Sequence, residues 1–292
     1  MKKILVTGAD GMLGVDLIRA LEKKSFQVIP TTINDMDLTD LAAVKEKMLS
    51  VKPDVVIHAA AYTNVDKAES DRESCMEVNH HGTKNLAFFC RELDSEMIYI
   101  STDYVFDGKK KSPYTETDQA NPINVYGLSK WLGEESVRTL VKRHKICRTS
   151  WLIGLFGIRG GNFVEAILKA ASRRDKLTVV ADQYGHPTFT FDLADLIVRL
   201  METEHYGVFH TTNTGECTWF QMAKAALEEY GDRSTTVEPV DTEEYPTAAK
   251  RPQNSVLDSV MLEKYGIEPA PHWKEGLREY MKRRKKLNKE ND

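Results

Sequence analysis

The stretch TGADGMLG, residues 7 to 14, joins an apolar run to a pattern of apolar residues spaced three and four apart. The run Ile4–Val6 predicts a buried strand, and the pattern after it predicts an amphipathic helix. Three glycines punctuate the turn, and glycine lets a ligand approach the main chain closely. A helix that begins near Gly11 presents free N–H groups and its positive dipole end to an anion. The spacing is GxxGxxG rather than GxGxxG, so alone it leaves a phosphate site and a plain glycine-rich turn equally open.

The composition of the 292 residues narrows the class of protein. A hydrophobic share of 41% and a charged share of 29% are typical of a folded soluble chain. The net charge of −4 argues against a general nucleic-acid binder, and no apolar stretch approaches the roughly 20 residues that span a bilayer. The first strand begins at once, so we expect no signal peptide and a cytoplasmic protein. The cysteines form no CxxC pair and the histidines no HExxH motif, so we expect reduced thiols and no metal site.

Short apolar strands alternate with amphipathic helices along the first half of the chain. Such alternation predicts a parallel sheet with helices on both faces, and right-handed crossovers make it a Rossmann-like, doubly wound α/β fold. Ligands bind such folds at the carboxyl ends of the strands. Strands are predicted at Ile4–Val6, Gln27–Ile29, Val55–Ile57, Met97–Ile100 and Ile146–Cys147, and helices at Met12–Lys23, Leu41–Leu49, Cys75–Leu93 and Tyr126–Val141.

The pattern becomes less regular after about residue 150. We therefore expect residues 1–150 to form a dinucleotide-binding domain, joined by return segments from about 184–212. Residues 151–292 are expected to form mainly a smaller C-terminal substrate-binding lobe that is interleaved with it. Within this lobe DQYGHPTF (residues 182–189) predicts a loop, Asp192–Met201 predicts a helix, and Thr218 with Gln221 has the spacing of a capping box.

The pentapeptide YGLSK begins a predicted helix, and its first and last residues are Tyr126 and Lys130. Residues four apart share a helix face, so the phenol and the ammonium can point into one site. A free phenol has a pKa of about 10, and a nearby ammonium lowers that pKa by favouring the phenolate. Tyr-x-x-x-Lys also arises by chance in many helices, so the pair alone favours two surface residues over a proton relay.

The segment YISTDYVFDG favours the proton relay over two surface residues. Its residues from Ser101 onward directly follow the predicted strand Met97–Ile100. The hydroxyls of Ser101 and Thr102 therefore lie at the carboxyl end of a strand, where a doubly wound fold places its chemistry. A hydroxyl at this position can bond a substrate carbonyl while the phenol delivers a proton. The alternative is a turn hydroxyl that bonds its own backbone.

Five motifs together, TGADGMLG, HAAAYTNVDKAES, VNHHGT, STDYVFDG and YGLSK, resemble the extended short-chain dehydrogenase/reductase family. The segments CRTSWLIG, GGNFVEAIL, DQYGHPT and RPQNSVLD extend the resemblance to around residue 258. Within the family the chain is most similar to members that act on a dTDP-sugar. The resemblance implies NAD(P)H-dependent reduction of the 4-keto group of dTDP-4-dehydro-L-rhamnose to dTDP-L-rhamnose, a precursor of cell-surface polysaccharide.

The resemblance also implies roles for individual residues. Tyr126 would be the proton donor, and Lys130 would bind the nicotinamide ribose and tune the tyrosine. Thr102 would hold the ketone oxygen of the substrate, with Asp103 beside it at the sugar and Trp151 lining the sugar-nucleotide pocket. The implied cofactor-binding residues are Gly8, Gly11, Met12, Leu13 and Gly14 at the pyrophosphate turn, Asp37 and Leu38 at the adenine side, Ala61, Tyr62 and Thr63 along the cofactor wall, and Tyr126 and Lys130.

The sequence departs from the family pattern in two respects. His58 stands where many relatives carry asparagine, which we interpret as a tolerated change at a strand end. In some members acidic residues join a metal at a dimer contact, and Asp16 occupies the position of the first of them. The other acidic residues have no clear counterpart here, which leaves both a metal and the family's homodimer open.

The predicted second strand, Gln27–Ile29, indicates which cofactor enters. An acid at its end would hold the ribose 2′-hydroxyl of NAD and repel the 2′-phosphate of NADP. The strand leads instead into Thr31 and Thr32, whose hydroxyls could hydrogen-bond a phosphate or leave room for it. The acid Asp35 comes later in the chain, beyond the end of the strand. We therefore expect both cofactors to work, with NADPH at least as good as NADH. Two other functions stay open: a non-catalytic nucleotide-binding regulatory subunit, and another sugar-nucleotide epimerase or dehydratase.

Overall fold

The computed structural model describes residues 1–157 and 161–291, and its regular elements follow the alternation expected from the sequence. The strands are β1 (Lys3–Thr7), β2 (Gln27–Thr31), β3 (Val55–His58), β4 (Glu96–Thr102), β5 (His144–Thr149), β6 (Leu152–Ile153), β7 (Lys176–Val180), β8 (Tyr184–Gly185), β9 (Thr188–Phe189), β10 (Gly207–His210), β11 (Asn213–Thr214), β12 (Cys217–Thr218), β13 (Thr236–Val240) and β14 (Ala270–His272). The helices are α1 (Met12–Glu22), α2 (Leu41–Val51), α3 (Val65–Ser70), α4 (Arg72–Met76), α5 (Thr83–Glu92), α6 (Val125–Leu140), α7 (Phe163–Ala171), α8 (Thr190–Met201), α9 (Trp219–Tyr230), α10 (Val260–Lys264) and α11 (Trp273–Asn291).

A parallel sheet of six strands, in the order β10-β5-β4-β3-β1-β2, forms the centre of the molecule. The order reverses at β1, which pairs with β2 on one side and with β3 on the other. Crossovers leave in opposite directions from such a point, so the carboxyl ends of β1 and β3 open into a crevice. This confirms the expected doubly wound fold and places the glycine turn after β1 at the crevice.

Helices cover both faces of the sheet. Side chains alternate along each strand, so Ile4 of β1 faces one layer and Leu5 the other. On the first face Ile4 packs in one core with Leu17 of α1 and Ile197 of α8. On the second face Leu5 packs with Met48 of α2 and with neighbours from α5 and α6. Because α8 and β10 return to this sheet, the sequence after residue 150 contributes to both parts of the molecule.

A buried ion pair fixes α6 to the sheet. The Arg148 guanidinium on β5 donates to both carboxylate oxygens of Glu134 on α6, at 2.9 and 2.8 Å. Ser101 of β4 donates to the same carboxylate at 2.5 Å, and all three side chains are buried. Such a fully paired carboxylate is costly to disturb, because removing one partner leaves a buried charge. The pair therefore sets the register of α6 one turn beyond Lys130.

The predicted helix Cys75–Leu93 is divided in the structure, which corrects that expectation. A π-helical turn, Glu77–Gly82, separates α4 from α5. Within this turn the side chain of Asn79 accepts from the Tyr62 backbone N–H at 2.8 Å and donates to the Tyr62 carbonyl at 3.0 Å. The extra residue of a π-turn re-aims a side chain, and such turns are frequent at functional sites.

A second core lies in the C-terminal lobe, where α7, α9 and α11 pack with short strand pairs. The predicted capping box is confirmed: Thr218 accepts from the Gln221 backbone N–H at 3.2 Å, and the Gln221 side chain accepts from the Thr218 N–H at 2.9 Å. The segment DQYGHPTF, expected as a loop, contains β8 and β9. These strands pair with β12 and β6, far along the chain, so local sequence does not reveal them.

Candidate active site

A cleft of about 530 Å³ lies at the carboxyl ends of the central strands. Its lining comes from the turn after β1, the loops after β2 and β3, the end of β4, the first turns of α6, and the start of the C-terminal lobe. The structure thus brings into one site every residue to which the resemblance assigns a catalytic, cofactor-binding or substrate-binding role. These residues are Gly8, Gly11, Met12, Leu13, Gly14, Asp37, Leu38, Ala61, Tyr62, Thr63, Thr102, Asp103, Tyr126, Lys130 and Trp151.

The glycine turn is shaped for close approach of backbone groups. Gly8 has a φ of +65°, and a side chain at Gly14 would place its Cβ only 2.1 Å from the Gly8 carbonyl oxygen. Gly11 is the N-cap of α1 and offers no side-chain hydrogen bond, and the first turn carries no acid. The first amides of α1 are therefore uncapped beside the cleft, in the arrangement that binds phosphates and other anions.

The reacting groups predicted at the centre of the cleft are adjacent. Thr102 donates its hydroxyl hydrogen to Asp103 Oδ1 at 3.0 Å and accepts from the Tyr104 backbone N–H at 3.2 Å. The same Thr102 hydroxyl lies close enough to the Tyr126 phenol to act on its pKa, which it lowers. The ring of Tyr126 lies edge-on to the ring of Tyr104, with centroids 5.9 Å apart and an interplanar angle of 82°. A carbonyl that enters this corner would meet both hydroxyls.

The pKa of Tyr126 is raised, whereas the sequence suggested that a nearby ammonium would lower it. Burial raises the pKa of Tyr126, the Asp103 carboxylate raises it further, and the hydrogen bond with Thr102 lowers it. Desolvation of the phenolate therefore outweighs any help from Lys130. The phenol carries its proton at neutral pH, as a proton donor must.

Lys130 is almost fully buried and lies near aromatic and acidic groups. Its Nζ is 4.1 Å from the ring centroid of Tyr99. Burial lowers the pKa of Lys130 to about 7, while Glu134 and Cys75 act to raise it. The ammonium thus sits close to its titration point, where new hydrogen-bond acceptors would favour the charged form.

Asp103 carries a buried carboxyl whose Oδ2 has no hydrogen-bond partner among the described residues. Burial raises the pKa of Asp103 from 3.8 to about 6, against hydrogen bonds with Ser255 and Thr102 that lower it. A free, buried acceptor oxygen in the lining of the cleft suits a hydroxyl group of a ligand. In the absence of a ligand, the same oxygen destabilises the fold.

Replacing Asp103 by asparagine should therefore stabilise the protein above pH 6. Because the folded pKa lies above the unfolded value, stability falls as pH rises from about 4 to 6 and the full penalty remains at higher pH. A shift of about two units corresponds to roughly 3 kcal/mol, and we expect about half of it, since the amide keeps a buried NH₂. Denaturant unfolding at pH 8 and pH 4 checks this: a gain at pH 8 that disappears at pH 4 is expected, and equal stability at both pH values would contradict it.

His58, the departure from the family pattern, is buried at the end of β3. Its Nδ1 lies 2.7 Å from the Thr7 hydroxyl, and its Nε2 lies 3.0 Å from the Thr83 hydroxyl. Thr83 donates to the Asn79 carbonyl, so Nε2 carries the hydrogen and Nδ1 accepts from Thr7. Burial lowers the pKa of His58 to about 3, so the ring is neutral. The histidine acts as a bridge between the glycine turn and α5.

Trp219 is a cleft residue that sequence reasoning missed. Its indole stacks on Trp151 with centroids 3.5 Å apart and an interplanar angle of 12°, and Phe163 lies 4.5 Å away on it. Trp151 itself has a φ of +45°, a strained conformation for a large side chain. Gly185 lies against its edge, where a Cβ would approach the indole to 2.7 Å. The capping box of Thr218 and Gln221 was the one indication in the sequence, because it predicts that α9 begins at Trp219.

Asp16 does not reach the surface as a metal ligand would. Its carboxylate is buried and accepts a hydrogen bond from Thr190 of α8. Over residues 1–157 and 161–291 no group of three or more histidine, cysteine, aspartate or glutamate side chains is placed to hold a metal ion. In the same part of the chain every helix is too short or too polar to cross a membrane. The four cysteines are buried free thiols.

Comparison with known proteins agrees with this geometry. The profile of the family described as RmlD substrate binding domain matches residues 1–286. The spore coat polysaccharide biosynthesis protein SpsK of Bacillus subtilis is 41% identical over 284 residues, which cover 97% of this chain and 98% of that protein.

Two solved structures are similar throughout. A dTDP-4-dehydrorhamnose reductase from Clostridium acetobutylicum superposes with a TM-score of 0.93 at 42% identity, covering 96% of this chain and 98% of that one. The Bacillus anthracis dTDP-4-dehydrorhamnose reductase, solved in complex with NADP, gives a TM-score of 0.92 at 38% identity over 96% and 99% of the two chains. The chain therefore belongs to the family of the RmlD substrate binding domain, among the extended short-chain dehydrogenase/reductases that its motifs resemble.

Proposed function

We propose that this protein reduces the 4-keto group of dTDP-4-dehydro-L-rhamnose to give dTDP-L-rhamnose, with NADPH or NADH as the reductant. The observation that carries the proposal is the partly buried Tyr126 phenol, whose raised pKa keeps its proton in place, beside Thr102 in a cleft whose other end is an uncapped helix terminus. The reductases from Clostridium acetobutylicum and Bacillus anthracis share the fold over nearly the whole chain. The SpsK relative supports a role in making a polysaccharide precursor.

The nicotinamide cofactor, when bound, supplies the hydride that the ketone carbon accepts. Side chains of this protein stabilise and then protonate the oxygen of that ketone. Negative charge develops on it, and the Thr102 hydroxyl stabilises this charge while Tyr126 Oη gives up its proton to complete the alcohol. Lys130 holds ribose hydroxyls and supplies positive charge beside the phenolate that remains. Trp151 lines the sugar-nucleotide side, and the uncapped amides of α1 hold the cofactor pyrophosphate.

Incubation with dTDP-4-dehydrorhamnose and reduced cofactor, followed by mass and stereochemical analysis, tests this function. Formation of dTDP-L-rhamnose is the expected result. A regulatory subunit would bind cofactor and leave the sugar unchanged; against that reading, the chain keeps Tyr126, Lys130 and Trp151. A dehydratase needs a further carboxylate after the strand hydroxyl, where this chain has Asp103 followed by Tyr104. An epimerase would retain its cofactor through dialysis and release an isomerised sugar.

The cofactor preference follows from the loop after β2. Thr31 donates its hydroxyl hydrogen to the Ile29 carbonyl, and Thr32 donates both its N–H and its hydroxyl to Asp35 Oδ2 at 2.8 Å. Both hydroxyl protons are therefore donated within the loop, while Thr31 and Thr32 themselves line the cleft. Asp35 is turned onto Thr32 and does not line the cleft, so room for a 2′-phosphate remains.

We expect both cofactors to be used, with NADPH at least as good as NADH. The NADP complex of the Bacillus anthracis relative supports this choice. The specificity constants for the two cofactors are the measurement, with Asp35→Asn as the matched variant. A preference for NADH beyond about a hundredfold, near 2.7 kcal/mol, would show that the Asp35 carboxylate reaches the ribose. In that case Asp35→Asn would remove the preference.

The proposal also assigns cofactor binding and sugar-nucleotide binding to different parts of the chain. Residues 1–150, with the return segment at about 184–212, would hold the cofactor, and the rest of 151–292 would hold the sugar nucleotide. The contribution of α8 and β10 to the central sheet supports this interleaving. The partner is a small-molecule dTDP-sugar, neither nucleic acid nor membrane, in the cytoplasm. A homodimer remains a prediction that light scattering would test.

A further inference from the structure

Residues 249–258, which contain the motif RPQNSVLD, form an extended segment that we call the strap. The strap crosses the loop after β4 so closely that a side chain at Gly108 would place its Cβ 2.6 Å from Pro252 Cα. Backbone hydrogen bonds run from Tyr184 N–H to the Gln253 carbonyl and from Tyr114 N–H to the Val256 carbonyl, both at 2.8 Å. The strap therefore links the C-terminal lobe to the loop that carries Thr102, Asp103 and Tyr104.

Arg251 anchors the strap to α3. Its Nη1 and Nη2 donate to the two carboxylate oxygens of Asp66 at 2.6 and 2.7 Å. The same carboxylate accepts from the Ala249 N–H at 3.0 Å, and Arg251 Nη1 donates to the Ala249 carbonyl at 2.7 Å. Only 18% of the Arg251 side chain is exposed. A bidentate pair of this kind fixes both partners in position as well as in distance.

Two sets of contacts connect the strap at Lys250 and Arg251 to Tyr126. In the first, the Arg251 guanidinium lies close to the Tyr104 hydroxyl, where it acts to lower the pKa of that phenol, and the Tyr104 ring lies edge-on to the Tyr126 ring. In the second, Asn124 donates to the Lys250 carbonyl at 2.8 Å, while its Oδ1 caps the Gly127 N–H at 2.7 Å. The strap thus touches both the ring that flanks the phenol and the residue that begins α6.

We propose that Arg251 is a positioning residue, which acts through Tyr104 to hold the Tyr126 phenol against the substrate carbonyl. The kinetic form of this proposal rests on the proposed function. A lysine cannot replace the arginine, because the planar fork of the guanidinium bonds both oxygens of a carboxylate and a backbone carbonyl at once, beside the Tyr104 phenol. The reducing corner is completed by a segment more than a hundred residues beyond Tyr126 in the chain.

The test compares Arg251→Met with Arg284→Met. Arg284 makes a bidentate pair with Glu165 at 2.7 and 3.0 Å and has a similarly covered side chain, 21% exposed, but this pair joins α11 to α7 within the C-terminal lobe. We expect Arg251→Met to lower kcat for the dTDP-sugar about tenfold, a fraction of the hundredfold that a displacement of about 1 Å can cost. The KM for the reduced cofactor should stay unchanged in both variants. Arg251→Lys should recover less than half of the loss in log kcat.

A double-mutant cycle with Tyr104→Phe separates positioning from simple loss of stability. If Arg251 acts through the Tyr104 hydroxyl, the double variant is no slower than Arg251→Met alone. Fully additive losses, or a kcat for Arg251→Met equal to that of Arg284→Met, would overturn the proposal. Hydrogen exchange at the amides of residues 125–128 gives a readout without turnover, and it should rise in Arg251→Met alone. A wild-type protein that reduces no sugar would refute the proposed function, and unchanged exchange would refute the positioning role.

Discussion

Tyr126→Phe is expected to lower kcat for sugar reduction by about two to four decades, the usual contribution of a positioned acid. The ring remains and keeps its contact with Tyr104, so the packing of the cleft is retained. What disappears is the proton, which burial holds on the phenol by raising the pKa of Tyr126. The rate of cofactor oxidation with saturating dTDP-sugar is the measurement.

Tyr280→Phe is the matched control for this prediction. Tyr280 is fully buried, and its hydroxyl donates to Glu165 at 2.7 Å, but it lies in the core of the C-terminal lobe outside the cleft. It should lose stability and keep its kcat. If Tyr126→Phe turns over within tenfold of the wild-type rate, another group supplies the proton.

Local sequence was sufficient for the parts of the site that depend on neighbouring residues. The turn from Gly8 to Gly14 could be predicted because strand, glycines and helix follow one another directly. The pairing of Tyr126 with Lys130 follows from helix geometry alone. Thr102 could be placed because the predicted strand Met97–Ile100 comes just before it, and in the structure it is the last residue of β4.

What could not be predicted depends on contacts between distant segments. The stack of Trp219 on Trp151 joins residues 68 positions apart, and neither pattern indicates the other. Arg251 meets Asp66 across 185 positions. The π-turn at Asn79 forms because its amide bonds the Tyr62 backbone, a choice that helical periodicity hides. The pKa of Tyr126 needed the degree of burial, since spacing shows which charges are near and not how much water is excluded.

Lys130→Met is expected to weaken binding of the reduced cofactor about ten- to a hundredfold, the range for lost hydrogen bonds from a charged donor. It should also abolish a proton uptake that accompanies binding to the wild-type protein. Burial lowers the pKa of Lys130 to about 7, so at pH 8 its side chain is about nine-tenths neutral. Ribose hydroxyls that accept hydrogen bonds from Lys130 favour the ammonium and raise its pKa, so binding draws close to one proton from the buffer.

The lowered pKa of Lys130 determines how this proton uptake changes with pH. Below about pH 6 Lys130 is already charged in the free protein, so binding takes up almost no proton; as pH rises through 7 to 8 the uptake grows towards one. Calorimetric titration in two buffers of different ionisation enthalpy measures it directly. Tyr126→Phe should keep the uptake, because the phenol is neutral before and after binding. An uptake that persists in Lys130→Met would assign the proton to another group, and the lysine would then be charged in the free cleft despite its burial.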